Sequence, residues 1–131
     1  LGGHVHVHDH ATISGAVGVH HFCTIGSYSF VAGMSVVRHD VPPYMLVEGQ
    51  PARPRCLNVV ALNRNGFSQE TIDSLGEAHR LLFRAKVGLD SAREILRGNR
   101  HLVPHVNHLL NFVEDQRQGR HGRGRERRRA A

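Results

Sequence analysis

Seven six-residue repeats, a Pro-Pro stop and a helical spacing of apolar residues beyond Ser68 predict a chain that is mainly β with an α-helical C-terminus. The expected architecture is a left-handed parallel β-helix built of hexapeptide repeats, followed by a small helical bundle. In sixes, the opening reads Leu1 to His6, Val7 to Thr12, Ile13 to Gly18, Val19 to Thr24, Ile25 to Phe30, Val31 to Val36 and Val37 to Pro42. An aliphatic residue opens every unit, and the fifth position is small or β-branched throughout: Val5, Ala11, Val17, Cys23, Ser29, Ser35 and Val41. Neither a 3.6 nor a 2.0 period gives this pattern. A chain wound around a triangular prism does: each hexad supplies one short strand, its aliphatic residue points inward, and the small fifth residue fits the corner. Three hexads complete one coil, and coils stack through parallel ladders. Solenoid units need neighbours to bury their faces, so Leu1 is expected to sit at a bare coil end with further coils before it. The chain opens on Leu rather than Met, in keeping with a piece of a longer protein.

The prolines of Asp40-Val41-Pro42-Pro43-Tyr44 cannot donate to a central ladder and end the prism. Met45 to Val47 is expected as a short strand, and Gly49-Gln50-Pro51-Ala52-Arg53-Pro54 as a turn-rich connector leading away from the solenoid. Ser68 is a good N-cap, with Glu70 and Asp73 in the first turn, and Ile72, Leu75, His79, Leu82, Phe83 and Lys86 fall on one face of a helix over 69–86. Gly88 breaks it. Asp90 caps a second helix carrying Ala92, Ile95 and Leu96, which Gly98-Asn99 ends, and a third starts near Pro104 with Val106, Leu109, Leu110 and Val113. The organisation predicted is β-helix coils over 1–48, a connector over 49–67, a helical domain over 68–116 and an Arg-rich flexible tail over 117–131.

Composition narrows the function classes. With 40% apolar and 21% charged residues the chain is globular. No apolar run approaches the roughly 20 residues of a membrane span, and Leu1-Gly2-Gly3-His4 lacks a signal-peptide layout. Cys23 and Cys56 form no metal-binding or disulfide pattern, which points to a reducing, cytoplasmic setting. The net charge of +6 resides in the tail, where Arg117 to Ala131 holds seven Arg against Glu126. Such a tail either contacts an acidic partner or is merely solvated, in a chain with 16 Arg and one Lys. It has no aromatic residue for stacking bases.

Twelve histidines raise the question of zinc, since His4, His6, His8 and His10 alternate as on one face of an extended chain. The hexad register instead distributes them over fourth, sixth and second positions around a corner. His6, His8, His10 and His39 read as surface residues of the prism. His79, His101, His105, His108 and His121 have no Cys or carboxylate at ligand spacing, and no metal is expected.

Four strings together carry a resemblance: Leu1-x-Gly3-His4-Val5; Val19-His20-x-Phe22-Cys23-x-Ile25-Gly26; Asp40-Val41-Pro42-Pro43-Tyr44; and Asn58 with Leu62-x-Arg64-x-Gly66-Phe67-Ser68. From Leu1 to about Phe112 the chain resembles the acyl-ACP:UDP-N-acetylglucosamine O-acyltransferases that open lipid A biosynthesis. The resemblance implies a homotrimer with active sites in clefts between prisms. It also implies transfer of a 3-hydroxyacyl chain from acyl carrier protein, a co-substrate, to the sugar 3-hydroxyl of UDP-N-acetylglucosamine, with no cofactor. Such chemistry needs a base for the hydroxyl proton and a donor for the thioester oxyanion. The family's base is a histidine about one coil before Leu1, so the chain as given is expected to be inactive alone.

By the same resemblance the Gly3 N–H is the oxyanion donor. His4, His20 and His21 lie at substrate, Gly33 sets acyl-chain length by leaving room for a longer chain, and Asn58 and Arg64 contact the nucleotide. An amide suits uracil edges and a guanidinium a diphosphate. The chain departs from the family pattern at Asn65, where a second arginine is frequent, at Pro51 in place of histidine, and at His21 in place of glutamine. Arg80 and Arg84 are candidates to meet the acidic surface of acyl carrier protein, or are outward-facing helix residues. Corner geometry alone would also account for Gly3 and Gly33, and a solvated connector for Arg64. Two other functions fit the prism: a γ-carbonic-anhydrase-like zinc enzyme, and a non-catalytic trimeric scaffold with an anion-binding tail. Neither accounts for the segment from Asn58 to Phe67.

Overall fold

The computed structural model describes residues 1–119; of the flexible tail expected over 117–131, Arg117 ends the last helix and residues 120–131, with His121, lie outside the described residues. Six two-residue strands wind first: β1 His6–Val7, β2 Thr12–Ile13, β3 Gly18–Val19, β4 Thr24–Ile25, β5 Phe30–Val31 and β6 Val36–Val37. Each joins the sixth residue of one hexad to the first of the next. Pairing is parallel and one coil apart, with His6 opposite Thr24, Thr12 opposite Phe30 and Gly18 opposite Val36. Val19, Ile25, Val31 and Val37 fill the prism axis. At its open end Leu1 is 75% and Val7 45% exposed.

The corners differ from expectation in one respect. The strained residue is the fourth of each hexad: His4, His10, Ala16, Phe22, Tyr28 and Met34 all have φ between 58° and 67°. None is a glycine, so each coil stores backbone strain that the ladders above and below must hold. The fifth residue is small because it turns inward, as the burial of Cys23, Ser29 and Ser35 shows. Side chains at fourth positions instead stack outside, one coil apart: His4 on Phe22 at 4.8 Å and His10 on Tyr28 at 4.6 Å.

Where the prism stops, Asp40 supplies what the prolines cannot. Its Oδ1 accepts the Thr24 N–H at 2.8 Å, and the Val41 N–H continues the ladder to the Thr24 carbonyl at 2.9 Å. Gly26 is packed so tightly under Pro43 that a Cβ there would lie 2.5 Å from the proline nitrogen. The next coil is two residues shorter, and β7 Met45–Gly49 joins β5 with Phe30 opposite Leu46. The connector expected from Gly49 onward is in fact ordered. Residues Ala52–Leu57 form β8, antiparallel to β7, and Val59–Arg64 form the short helix α1, anchored by the fully buried Leu62. The chain therefore stays against the solenoid.

Helix α2 runs Gln69–His79, capped by Ser68, whose side chain accepts the Thr71 N–H. The single helix expected to Lys86 instead passes into a π-helical turn, Arg80–Arg84, where the Ala85 N–H reaches back to the Arg80 carbonyl. Lys86 leaves the helix with φ 54°. Helix α3 spans Leu89–Gly98 with Gly88, not Asp90, at the cap, and Asp90 lies in its first turn. Ala92 and Leu96 are buried as expected, whereas Ile95 is 39% exposed and Leu89 takes a core place. Helix α4 spans Pro104–Arg117 and buries Val106, Leu109, Leu110 and Val113. These helices share one apolar cluster with Tyr44 and Met45 of the prism exit. Tyr44 ties the two layers: its hydroxyl hydrogen-bonds His105 Nδ1 at 2.9 Å, and burial, then the nearby Tyr28, push its pKa up to about 12. A second tie joins α2 to the α3–α4 loop, where the Ser74 hydroxyl donates to the Glu70 carbonyl and pairs with His101 Nδ1 at 2.8 Å.

His79 is buried at the end of α2 with its Nε2 unpartnered, and burial, then Arg84, lower its pKa from 6.5. Burial, with His8 and His105, lowers that of His108 as well. Below pH 6.5 the unfolded chain binds protons that these folded-state histidines refuse, so stability falls as pH drops from that value toward the lowered pKa values. The thermal midpoint should fall between about pH 7.5 and about pH 5.5, and His79→Leu should make that fall smaller. An unchanged pH slope in the variant would remove His79 from this account.

Candidate functional site

The structure separates the candidate residues into three places. Gly3, His4, His20 and His21 share the first turn and the coil above it. Asn58 and Arg64 lie at either end of α1. Gly33 sits apart at an exposed corner, directly over Gly15, whose carbonyl is 3.5 Å from where a Cβ at position 33 would be. That is ordinary contact, so the fold itself tolerates a side chain at Gly33.

At the first place, the Gly3 carbonyl accepts the Phe22 N–H at 2.9 Å, which fixes the peptide beside the next coil. Its N–H donates to His21 Nδ1 at 2.7 Å. The amide that the resemblance assigns to an oxyanion is thus occupied by a side chain of this chain. The bond requires an imidazole with its proton on Nε2. His20 and His21 meet edge to face at 5.5 Å, with His20 Nδ1 3.1 Å from the His21 carbonyl. His4 is held flat against Phe22 at 4.8 Å. A Cβ at Gly3 would meet only His21 Nδ1, at 3.5 Å, whereas one at Gly2 would lie 2.7 Å from the His21 backbone nitrogen. The coil itself therefore demands a glycine at position 2 and not at position 3.

The second place is a cavity of about 550 Å³ over β2, β5 and α1. Asn58 and Arg64 both line it, together with His10, Ala11, Phe30 and Val60. The Asn58 side chain is nearly buried and oriented by its Nδ2, which donates to the Tyr28 carbonyl at 2.8 Å. That bond involves the amide nitrogen and leaves the carboxamide oxygen out of it. Asn65 also lines the cavity, but its Nδ2 donates at 2.7 Å to the Ala61 carbonyl one turn back. Phe30, Leu46 and Val60 give one wall that suits a flat apolar face, while Arg64 provides a permanent cation. His10, expected as a surface residue of the prism, is exposed there and also lines this cavity. The hexad register alone sets it one coil from Tyr28, on which it stacks.

The remaining candidates are less concentrated. Arg80 pairs with Glu77 at 2.6 Å, and Arg84 is exposed. Among the described residues no three His, Cys, Asp or Glu side chains are grouped as metal ligands, and no helix is long and apolar enough to cross a membrane.

If His21 is what occupies the Gly3 amide, its removal should be visible at that proton. In a 1H–15N spectrum His21→Ala should move the Gly3 amide upfield and speed its exchange with water, whereas His21→Gln, which keeps an acceptor, should leave it closer to the wild-type position. An unmoved Gly3 signal in His21→Ala would contradict the bond.

Comparisons of sequence and of structure with known proteins point to one family. Residues 40–123 match the family profile described as UDP N-acetylglucosamine O-acyltransferase, domain 2. Curated relatives named acyl-[acyl-carrier-protein]–UDP-N-acetylglucosamine O-acyltransferase include that of Synechocystis, 41% identical over 93% of this chain and 45% of its own length. That of Myxococcus xanthus is 41% identical over 88% of this chain and 45% of its own length. Among solved structures, the Arabidopsis UDP-N-acetylglucosamine acyltransferase superposes with a TM-score of 0.79 at 40% identity, over 88% of this chain and 42% of that one. LpxA from Acinetobacter baumannii gives 0.78 at 35% identity, over 86% and 44%. This chain spans about half the length of the curated relatives it matches. The left-handed β-helix expected from the hexads is the fold it shares with these enzymes. With most of its length matched by the profile and 41% identity to named enzymes, the chain belongs to the UDP-N-acetylglucosamine O-acyltransferase family.

Proposed function

We propose that this chain forms the nucleotide-binding and acyl-accepting side of an acyltransferase cleft, working on UDP-N-acetylglucosamine and a 3-hydroxyacyl thioester of acyl carrier protein. The observation that carries the reading is the cavity that brings Asn58 and Arg64, six positions apart, to one space from the two ends of α1. In this reading the Asn58 carboxamide recognises the base edge and the Arg64 guanidinium neutralises the diphosphate. Charge-assisted bonds of that kind are among the stronger polar contacts. The Gly3 N–H stabilises the thioester oxyanion once His21 gives way to the acyl oxygen. His4 and His20 line the sugar, and Gly33 leaves room for a longer acyl chain.

The general base is one the resemblance places before Leu1. Since the three groups of residues occupy separate places on one chain, they meet around a single substrate most simply across a cleft between neighbouring copies, which is the homotrimer of the proposal. The helical layer is the surface for acyl carrier protein, with Arg84 exposed there and Arg80 available only in competition with Glu77.

Binding of UDP-N-acetylglucosamine by isothermal titration tests this without requiring turnover. The 131-residue chain should bind it, and Arg64→Gln should weaken binding about ten-fold or more, the scale of a lost charge-assisted hydrogen bond. Equal affinity in wild type and variant would take the diphosphate away from Arg64.

A further inference from the structure

Resting on that nucleotide reading, we propose that His10 is a second phosphate-binding residue of the cavity and takes the role that Asn65 leaves open. Among the described residues that line the cavity, Arg64, at the end of α1, is the one permanent cation. A diphosphate carries more charge than one guanidinium matches, and phosphate sites commonly gather several donors. Asn65, next in sequence, lines the same space but carries no charge and puts one of its two amide hydrogens on the Ala61 carbonyl. His10 stands on the other wall.

Three features fit His10 for the task. Its left-handed backbone, φ 61°, lifts the side chain off the prism corner into the cavity rim. Its ring lies on Tyr28 at 4.6 Å with the planes 12° apart, so one face is covered and the nitrogen-bearing edge is held in a fixed plane. Tyr28 also holds the Asn58 amide through its carbonyl, at 2.8 Å. One residue therefore contacts both His10 and Asn58, and both line the cavity. An imidazole N–H there donates to a phosphate oxygen as a neutral group, and more strongly when protonated.

The test uses the 131-residue chain titrated with UDP and, separately, with uridine. His10→Phe keeps a ring on Tyr28 and removes only the N–H groups, and circular dichroism confirms that the coils remain folded. The expected result is UDP binding weakened about ten-fold or more with uridine binding unchanged within two-fold, on the scale of one hydrogen bond to a charged group. UDP binding equal to wild type would overturn the proposal while leaving the nucleotide reading intact. Equal losses for UDP and uridine would overturn it too, making His10 a platform for the base. A wild-type chain that binds neither ligand would remove the nucleotide reading itself, and the proposal with it.

Discussion

Everything in this molecule depends on the coil-to-coil ladder that sets each residue above the one eighteen positions earlier, as Thr24 stands over His6 and Phe30 over Thr12. Strands of two residues have no stability alone. They exist because backbone N–H and carbonyl groups find partners in the next coil, and because Ile13, Val19, Ile25, Val31 and Val37 close the same axis. The ladder also holds six non-glycine corners in the left-handed region. Those corners have a functional consequence: fourth-position side chains turn away from the prism axis, so His4 stacks on Phe22, and His10 on Tyr28, which itself packs against the helical layer's cluster.

The end of the ladder is equally determined. Proline at positions 42 and 43 cannot continue it, Asp40 caps the Thr24 amide in its place, and a shortened coil delivers Tyr44 over Tyr28. From Tyr44 the helical layer is built, through His105 on one side and the shared apolar cluster on the other. Because β8 doubles back on β7 before α1 begins, Asn58 returns to the prism wall and meets the Tyr28 carbonyl. The cavity is thus a product of the solenoid's exit: one wall is coil, the other is α1, and Tyr28 joins them.

Much of this was legible in the sequence, and the exceptions have physical causes. The hexads, the proline stop and the Ser68 cap follow from periodicity and local chemistry. Helix α1 did not, because Val59 and Val60 are weak helix formers and only the burial of Leu62 stabilises six residues of helix. The π-helical turn and the Gly88 cap are tertiary outcomes that local propensity does not carry. For the site, Asn58 and Arg64 were named through family resemblance rather than by their own pattern, since an amide and an arginine six residues apart are unremarkable until the fold gives them one cavity. The bond from Gly3 to His21 joins residues eighteen apart, and the ladder that aligns them was in the hexads.

The central claim is that the space between β2, β5 and α1 receives a nucleotide diphosphate. Chemical-shift mapping of the isotopically labelled chain with UDP-N-acetylglucosamine tests it most directly. The account predicts saturable shifts at the side-chain amide of Asn58, the guanidinium of Arg64 and the backbone of Ala11, with the Gly15–Gly33 corner unmoved. Shifts confined to the helical layer, or none at Asn58 and Arg64 under saturating ligand, would contradict it.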